Sequence, residues 1–288
     1  MQLLAALARK NHFARAAEEC GISQSAFSAR IRNLEIELGA PIVKRGNRFI
    51  GFTAEGEIVL KWARRLLADA DGMRQEIEAA RGRLVGRLAI GAVPTALTYV
   101  ARVPARLRET HPGLAIQIQS ASSSQIRQGL EDFSLSAGVT YLDGDFPTSL
   151  TVVPLYEERY VLLAPPALAP RPQGTVTWRE AAALPLCLLT PDMRNRRILD
   201  EVFASVGTPA SPVMETNAFT AALAQVASGA AATIAPEPLA DSLPVAAGAV
   251  RLALTEPDVA KPIGLVYAER EPTPPAVLAL ADALADMP

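Results

Sequence analysis

The chain has 288 residues, 50% of them hydrophobic, enough to bury sizeable cores and to divide into two or three domains. Its net charge of -2 does not by itself point to nucleic acid, yet residues 1–48 carry eight Lys or Arg against four acids, and residues 84–288 carry fourteen against twenty. A basic head therefore precedes an acidic body, while the lack of a long apolar run or cleavable leader, and two unrelated cysteines, point away from membrane, secreted and disulfide-bonded classes.

The first predicted helix runs from Gln2 to Arg9. Residues 13–38 then read as two helices around a tight turn. Ala16 and Ala17 are small enough for one helix to cross another closely, and Gly21 supplies a turn that needs φ > 0. Ser23 is an N-cap for a second helix that places Gln24, Ser25, Ser28, Arg30 and Arg32 away from the apolar Phe27, Ile31 and Leu34. Short polar side chains at such an N-terminus reach base edges in a major groove, and the arginines reach phosphates, so double-stranded DNA is the expected partner. Gly39 and Pro41 end the helix. Ile42–Lys44 and Phe49–Phe52 are expected as two short strands of a wing whose basic positions are Lys44, Arg45 and Arg48.

Thr53 caps a further helix and counts with the candidate DNA contacts. Along it Val59, Ala63, Leu66, Ala70, Met73, Ile77, Ala80 and Leu84 recur at alternating steps of four and three, a heptad seam. About 28 helical residues at 1.5 Å each make roughly 42 Å, more than a small winged domain covers. The seam therefore asks for a second copy of the chain, and a dimer would read a two-fold site.

The pieces AA, SQSAFS, IRNLE, ELG, KRG and FTAEG occur in order between Ala16 and Gly56, and this stretch resembles the start of a LysR-type transcriptional regulator. The resemblance implies a winged helix-turn-helix over residues 1–53, a linker and dimerisation helix over 54–84 packed antiparallel on its mate, and an effector-binding domain over 85–288, in a homodimer or homotetramer. It also implies a first helix longer than Gln2–Arg9, as if the chain started late or were clipped.

From Gly86 the pattern changes to strands alternating with helices. RLAIGAV, LAIQIQS and LSAGVT read as buried strands separated by helical stretches at 95–110 and 123–132, with Pro104 starting a new helix, so the region begins as α/β with a mostly parallel sheet. LCLLT, a helix over Met193–Ser205, PVMET, a helix over Ala218–Ala227 and ATIAP form a second set, and PIGLVYAE with a last helix near Ala276–Ala285 returns to the first. Subdomain I is placed at about 85–142 and 264–288, subdomain II at about 143–263, with crossover strands near 138–146 and 258–266. This arrangement is similar to periplasmic binding proteins and to the effector domain of the same family. In place of the D-L-A-I run common in relatives, the chain has Asp132 to Ser136 as DFSLS.

Ligands of open α/β sheets sit beyond the carboxyl ends of strands, near helix N-termini. The candidate effector contacts are Pro94, Thr95, Ser122, Ser123, Thr190, Asn195, Arg196, Thr216 and Asn217, with Arg194 adding charge; Arg197 reads as a solvated face. Such a rim suits a small anionic effector such as a carboxylate. No cofactor is expected. His12, His111, Cys20 and Cys187 are too scattered for a metal site, and both cysteines read as buried thiols in a reducing cytoplasm. No GxSxG, GxxxxGK or HExxH run suggests an enzyme. The remaining alternative is a solute-binding protein using the same cleft, which would leave the winged head unexplained.

Overall fold

The computed structural model describes residues 1–44, 46, 49–242, 248–285 and 287. The chain forms two compact units, Met1–Gly82 with Glu131–Ser134, and Arg83–Leu130 with Leu135–Pro288.

In the first unit, α1 (Gln2–Lys10), α2 (Phe13–Glu19) and α3 (Gln24–Leu38) surround a core of Leu4, Leu7, Ala16, Ala17, Phe27 and Ile31. Helices α2 and α3 each begin where a side chain satisfies a free amide. His12 Nδ1 accepts from Ala14 N, and Ser23 Oγ accepts from Ala26 N. Gly21 turns the chain between α2 and α3 at φ +66°. Among the described residues, the expected two-stranded wing is an antiparallel bridge between Val43 and Phe52. Phe13, Phe49, Phe52 and Phe27 hold it to the helices edge to face, at centroid separations of 5.2 to 6.0 Å.

Helix α4 (Ala54–Ala79) starts at Thr53, whose hydroxyl accepts from Gly56 N at 2.9 Å and donates to Pro41 O at 2.6 Å. The heptad seam divides. Ala63 is fully buried and Val59 packs with the unit's own core, because the first half of α4 lies on α1. Ala80 and Leu84 fall beyond the helix, which stops before Gly82 at φ +75°. Leu66, Met73 and Ile77 remain exposed, joined by Ile58 and Trp62.

The second unit runs β1 (Val85–Ala92), a 3-10 turn (Pro94–Ala96), α5 (Leu97–Val100), α6 (Val103–Thr110), β2 (Gly113–Ser120), α7 (Ser123–Glu131) and β3 (Ala137–Tyr141). It continues through β4 (Leu150–Ala164), β5 (Thr175–Thr177), α8 (Trp178–Ala182), β6 (Cys187–Leu189), α9 (Arg194–Ser205), β7 (Met214–Thr216), α10 (Phe219–Ala227) and β8 (Thr233–Pro236). It closes with α11 (Glu237–Ser242), β9 (Val250–Thr255), β10 (Ala260–Ala268) and α12 (Pro275–Ala285). The main sheet has the order β2-β1-β3-β10-β4-β9-β5, with β8 also on β4, and β6 pairs β7 separately.

The first three strands are parallel as expected, and the sheet as a whole is mixed. β1 is parallel to β2 and β3, but β10 is antiparallel to β3 and β4, and β4 is antiparallel to β8 and β9. The first crossover is also not at 138–146. Strand β4 crosses, with Leu150–Arg159 on β10 and Tyr160–Ala164 on β8 and β9. β10 pairs with β3 and with the Leu150–Arg159 stretch of β4, and carries a bulge at Ile263 and Gly264. Strand β4 is thus shared by the two parts of the sheet, and Glu158 and Tyr160 lie where its partners change.

Candidate functional site

The exposed end of α3 presents Gln24 and Ser25, with Ser28 half-buried one turn on and Arg30 and Arg32 exposed. Ser23 is held as the cap and lies 3.0 Å from Ser25 Oγ. Glu35, buried on the inner side of α3, accepts from the amides of Ile42 at 2.9 Å and Val43 at 3.3 Å. It fixes the angle at which the chain leaves the helix and brings exposed Lys44 to the same unit. Arg45 and Arg48, expected at the wing tip, lie outside the described residues. Amides at a helix N-terminus, neutral polar side chains and flanking cations form a surface suited to a duplex groove.

The second unit holds a buried polar cluster where its halves meet. Thr95 follows β1, Tyr141 ends β3, Glu158 projects from β4, and Asn195 lies in the first turn of α9. The Tyr141 hydroxyl donates to Glu158 Oε1 through a short hydrogen bond. The same hydroxyl accepts from Asn195 Nδ2 at 3.3 Å and lies 3.3 Å from Thr95 Oγ1. Glu158 is 0% exposed, Thr95 1% and Asn195 2%. Burial pushes the Glu158 carboxyl up to about 7, against the pull of the Tyr141 hydrogen bond, and burial also raises Tyr141 well above its ordinary range. Glu158 Oε2, Asn195 Oδ1, Thr190 Oγ1 and the Tyr160 hydroxyl have no hydrogen-bond partner among the described residues.

The arginines of α9 are all engaged. Arg194 pairs with Asp143 and Glu201. Arg196, 7% exposed, donates to Leu189 O at 2.8 Å, to Asp200 at 2.9 Å and to Glu215 at 2.6 Å. Arg197 donates to the carbonyls of Asp192 at 3.0 Å and Pro191 at 3.4 Å. No cluster of three His, Cys, Asp or Glu suited to a metal occurs among the described residues, and none of the described helices is long and apolar enough to cross a membrane.

Two family descriptions match this chain: "Bacterial regulatory helix-turn-helix protein, lysR family" over residues 1–57 and "LysR substrate binding domain" over residues 81–288. The chain belongs to the LysR family. It is a DNA-binding transcriptional regulator with an effector-binding domain. Among similar proteins is a probable hydrogen peroxide-inducible genes activator of Mycobacterium avium, 28% identical over 93% of this chain and 86% of the relative. The SDS degradation transcriptional activation protein of a Pseudomonas species is 35% identical over 63% of this chain and 60% of that one. Full-length OxyR from Pseudomonas aeruginosa has the same fold, with a TM-score of 0.78 at 24% identity, covering 100% of this chain and 97% of that one. CbnR bound to its target DNA gives a TM-score of 0.70 at 22% identity, covering 98% of this chain and 96% of that one.

Against this LysR frame, several residues predicted as contacts turn out to hold structure. Thr53 is a helix cap and carbonyl clamp. Arg196 is a buried tie between α9, β6 and β7, and a ligand would have to break its two ion pairs to use it. Ser122 bonds the head of α7 through Ser124 and Gln125, and Ser123 accepts from Thr140 Oγ1 at 2.9 Å. Thr216 Oγ1 accepts from Ala218 N, Pro94 is buried in the 3-10 turn, and Asn217 is exposed. Cys20 is half-buried, not buried, while Cys187 is fully enclosed in β6.

Of the predicted set, only Thr95 and Asn195 are joined through hydrogen bonds to one hydroxyl. The residues between them, Tyr141 and Glu158, went unpredicted. A period-2 signal pointed to Glu158, since Tyr156, Glu158, Tyr160 and Leu162 share a face of β4 and the others are large and apolar in body.

Proposed function

We propose that this regulator reads a two-fold DNA site with the N-terminal turns of two α3 helices, and that its response is set by the cluster of Thr95, Tyr141, Glu158 and Asn195. In this reading residues 1–53 are the DNA head, 54–84 the linker and 85–288 the effector body. Gln24, Ser25 and Ser28 contact bases, while Arg30, Arg32 and Lys44 hold phosphates. The exposure of Gln24 and Ser25 beside a capped helix N-terminus carries the assignment.

On a duplex selected for tight binding, Gln24→Ala should cost about 1 to 3 kcal/mol and leave random DNA unaffected. Arg32→Ala should weaken every sequence alike and reduce the salt slope by about 1. Equal losses for Gln24→Ala on selected and random duplexes would remove the base-reading role.

Dimerisation is assigned to the apolar ridge of Ile58, Trp62, Leu66, Met73 and Ile77, which are 61%, 56%, 51%, 58% and 47% exposed. Five large apolar side chains along one helix stripe are costly to leave in water. Leu66→Asp with Met73→Asp should sediment as a monomer at micromolar concentration and lose cooperative binding to a two-fold duplex. A stable dimer of this variant would place the interface elsewhere.

A thiol sensor is a poorer reading of the effector body. Cys187 is enclosed, and burial pushes its thiol above the usual range, away from a reactive thiolate.

A further inference from the structure

Two of the residues that the sequence offered as holders of a small carboxylate, Thr95 and Asn195, meet at a hydroxyl that donates to a carboxyl, and that carboxyl belongs to the chain itself. Thr95 and Asn195 meet at the Tyr141 hydroxyl, and that hydroxyl donates to Glu158 Oε1. Tyr141 thereby accepts from Asn195 and passes its own proton toward the carboxyl, the polarity expected when a donor relay is aimed at an acceptor. Glu158 reaches this position from β4, which pairs with β10 along one stretch and with β8 and β9 along the next, and its partner Tyr141 ends β3. The Tyr141 hydroxyl therefore links the crossover-strand carboxyl to the turn after β1 through Thr95 and to the start of α9 through Asn195. The α9 arginines that would balance a second, free anion are already neutralised by Asp143, Glu201, Asp200 and Glu215.

We propose that Glu158 is an internal ligand of the effector cleft: its carboxyl occupies the donor set that a small free carboxylate would use, and such a carboxylate enters only when Glu158 is displaced or removed. The inference rests on the reading of this cluster as the effector site. Glu158 Oε2 and Asn195 Oδ1, both acceptors, have no hydrogen-bond partner among the described residues, so the tethered carboxyl leaves the cluster incompletely satisfied. The cleft is thus held together by a contact that the protein carries with it, and regulation consists of breaking that contact.

Removing the side chain beyond Cβ deletes a CH2 and a carboxylate, the atoms of acetate. The full-length Glu158→Ala variant should therefore gain thermal stability in sodium acetate, by more than about 3 °C over sodium chloride of equal ionic strength. The parent and Glu158→Gln should show no such difference, and adding Tyr141→Phe to Glu158→Ala should abolish the gain. If Glu158→Ala does not stay folded in buffer, its refolding yield should rise in acetate and not in chloride. An acetate response equal in parent and variant, or none in the variant by either measure, overturns the internal ligand. The underlying effector reading fails separately if Glu158→Ala, shown to be folded, binds a selected DNA duplex with parental affinity and an unchanged footprint.

Discussion

Gly56→Ala should unfold the DNA-binding head about 10 °C below the parent, although helix propensity alone predicts the opposite. Alanine favours a helix over glycine by about 1 kcal/mol. Here, however, a Cβ on residue 56 would lie 2.0 Å from the carbonyl oxygen of Ile42 and 2.9 Å from its carbonyl carbon. Those atoms are backbone and cannot rotate away. The Ile42 carbonyl also accepts from Thr53 N at 2.9 Å, so moving it loosens the cap of α4 and the entry to the wing together. Overpacking of this kind costs about 1 to 3 kcal/mol, occasionally more, and about 2 kcal/mol in a small domain corresponds to roughly 10 °C. Thermal unfolding followed by circular dichroism measures it, with DNA affinity expected to fall in parallel. An alanine variant as stable as the parent would show that α4 and the wing do not approach this closely.

The second large effect is on pH dependence. The folded state holds the Glu158 proton more tightly than the unfolded chain does, with the carboxyl pushed from its ordinary value of 4.5 up to about 7. Its contribution to stability is therefore complete below about 4.5 and is lost as pH rises through about 7. At 1.36 kcal/mol per unit the difference approaches about 3 kcal/mol. The groups facing it, Tyr141, Tyr156 and Tyr160, have their ionisations raised above the ordinary tyrosine range and stay neutral across this window. Urea midpoints should fall for the parent between pH 5 and pH 8, whereas Glu158→Gln should give a flatter profile and be the more stable form at pH 8. Parallel profiles for the two proteins would mean that Glu158 titrates as an ordinary exposed carboxyl.

Local rules made much of this fold readable. His12 apart, the helix starts at Ser23 and Thr53 follow from hydroxyls placed ahead of apolar periodicity, and the turn at Gly21 from its freedom at positive φ. The motif FTAEG also has a physical account, since Thr53 clamps Pro41 and Gly56 lets Ile42 approach. Where sequence reasoning failed, the deciding contact was remote. The heptad pattern of α4 could not show that Val59 and Ala63 are used by the head's own core, leaving Ile58 and Trp62 to replace them on the exposed stripe. The 15-residue strand β4 drew no reading from the sequence, because the charged run Glu157, Glu158 and Arg159 interrupts its apolar pattern, and the carboxyl it carries went unseen. Arg196 looked like a free cation because one of its acids, Glu215, lies on β7 and is brought near only by the pairing of β6 with β7. Donors can be counted along a sequence; whether they are already satisfied depends on residues that folding brings to them.

Selection of binding sequences from a random duplex pool, run side by side with the full chain and with Gln24→Ala, tests the central assignment most directly. The parent should enrich a two-fold motif whose half-sites are spaced by whole helical turns, and the variant should enrich the same motif with preference relaxed at one symmetry-related base pair in each half. An identical motif from both proteins, or no motif from the parent, would contradict the claim that the N-terminal turn of α3 reads DNA.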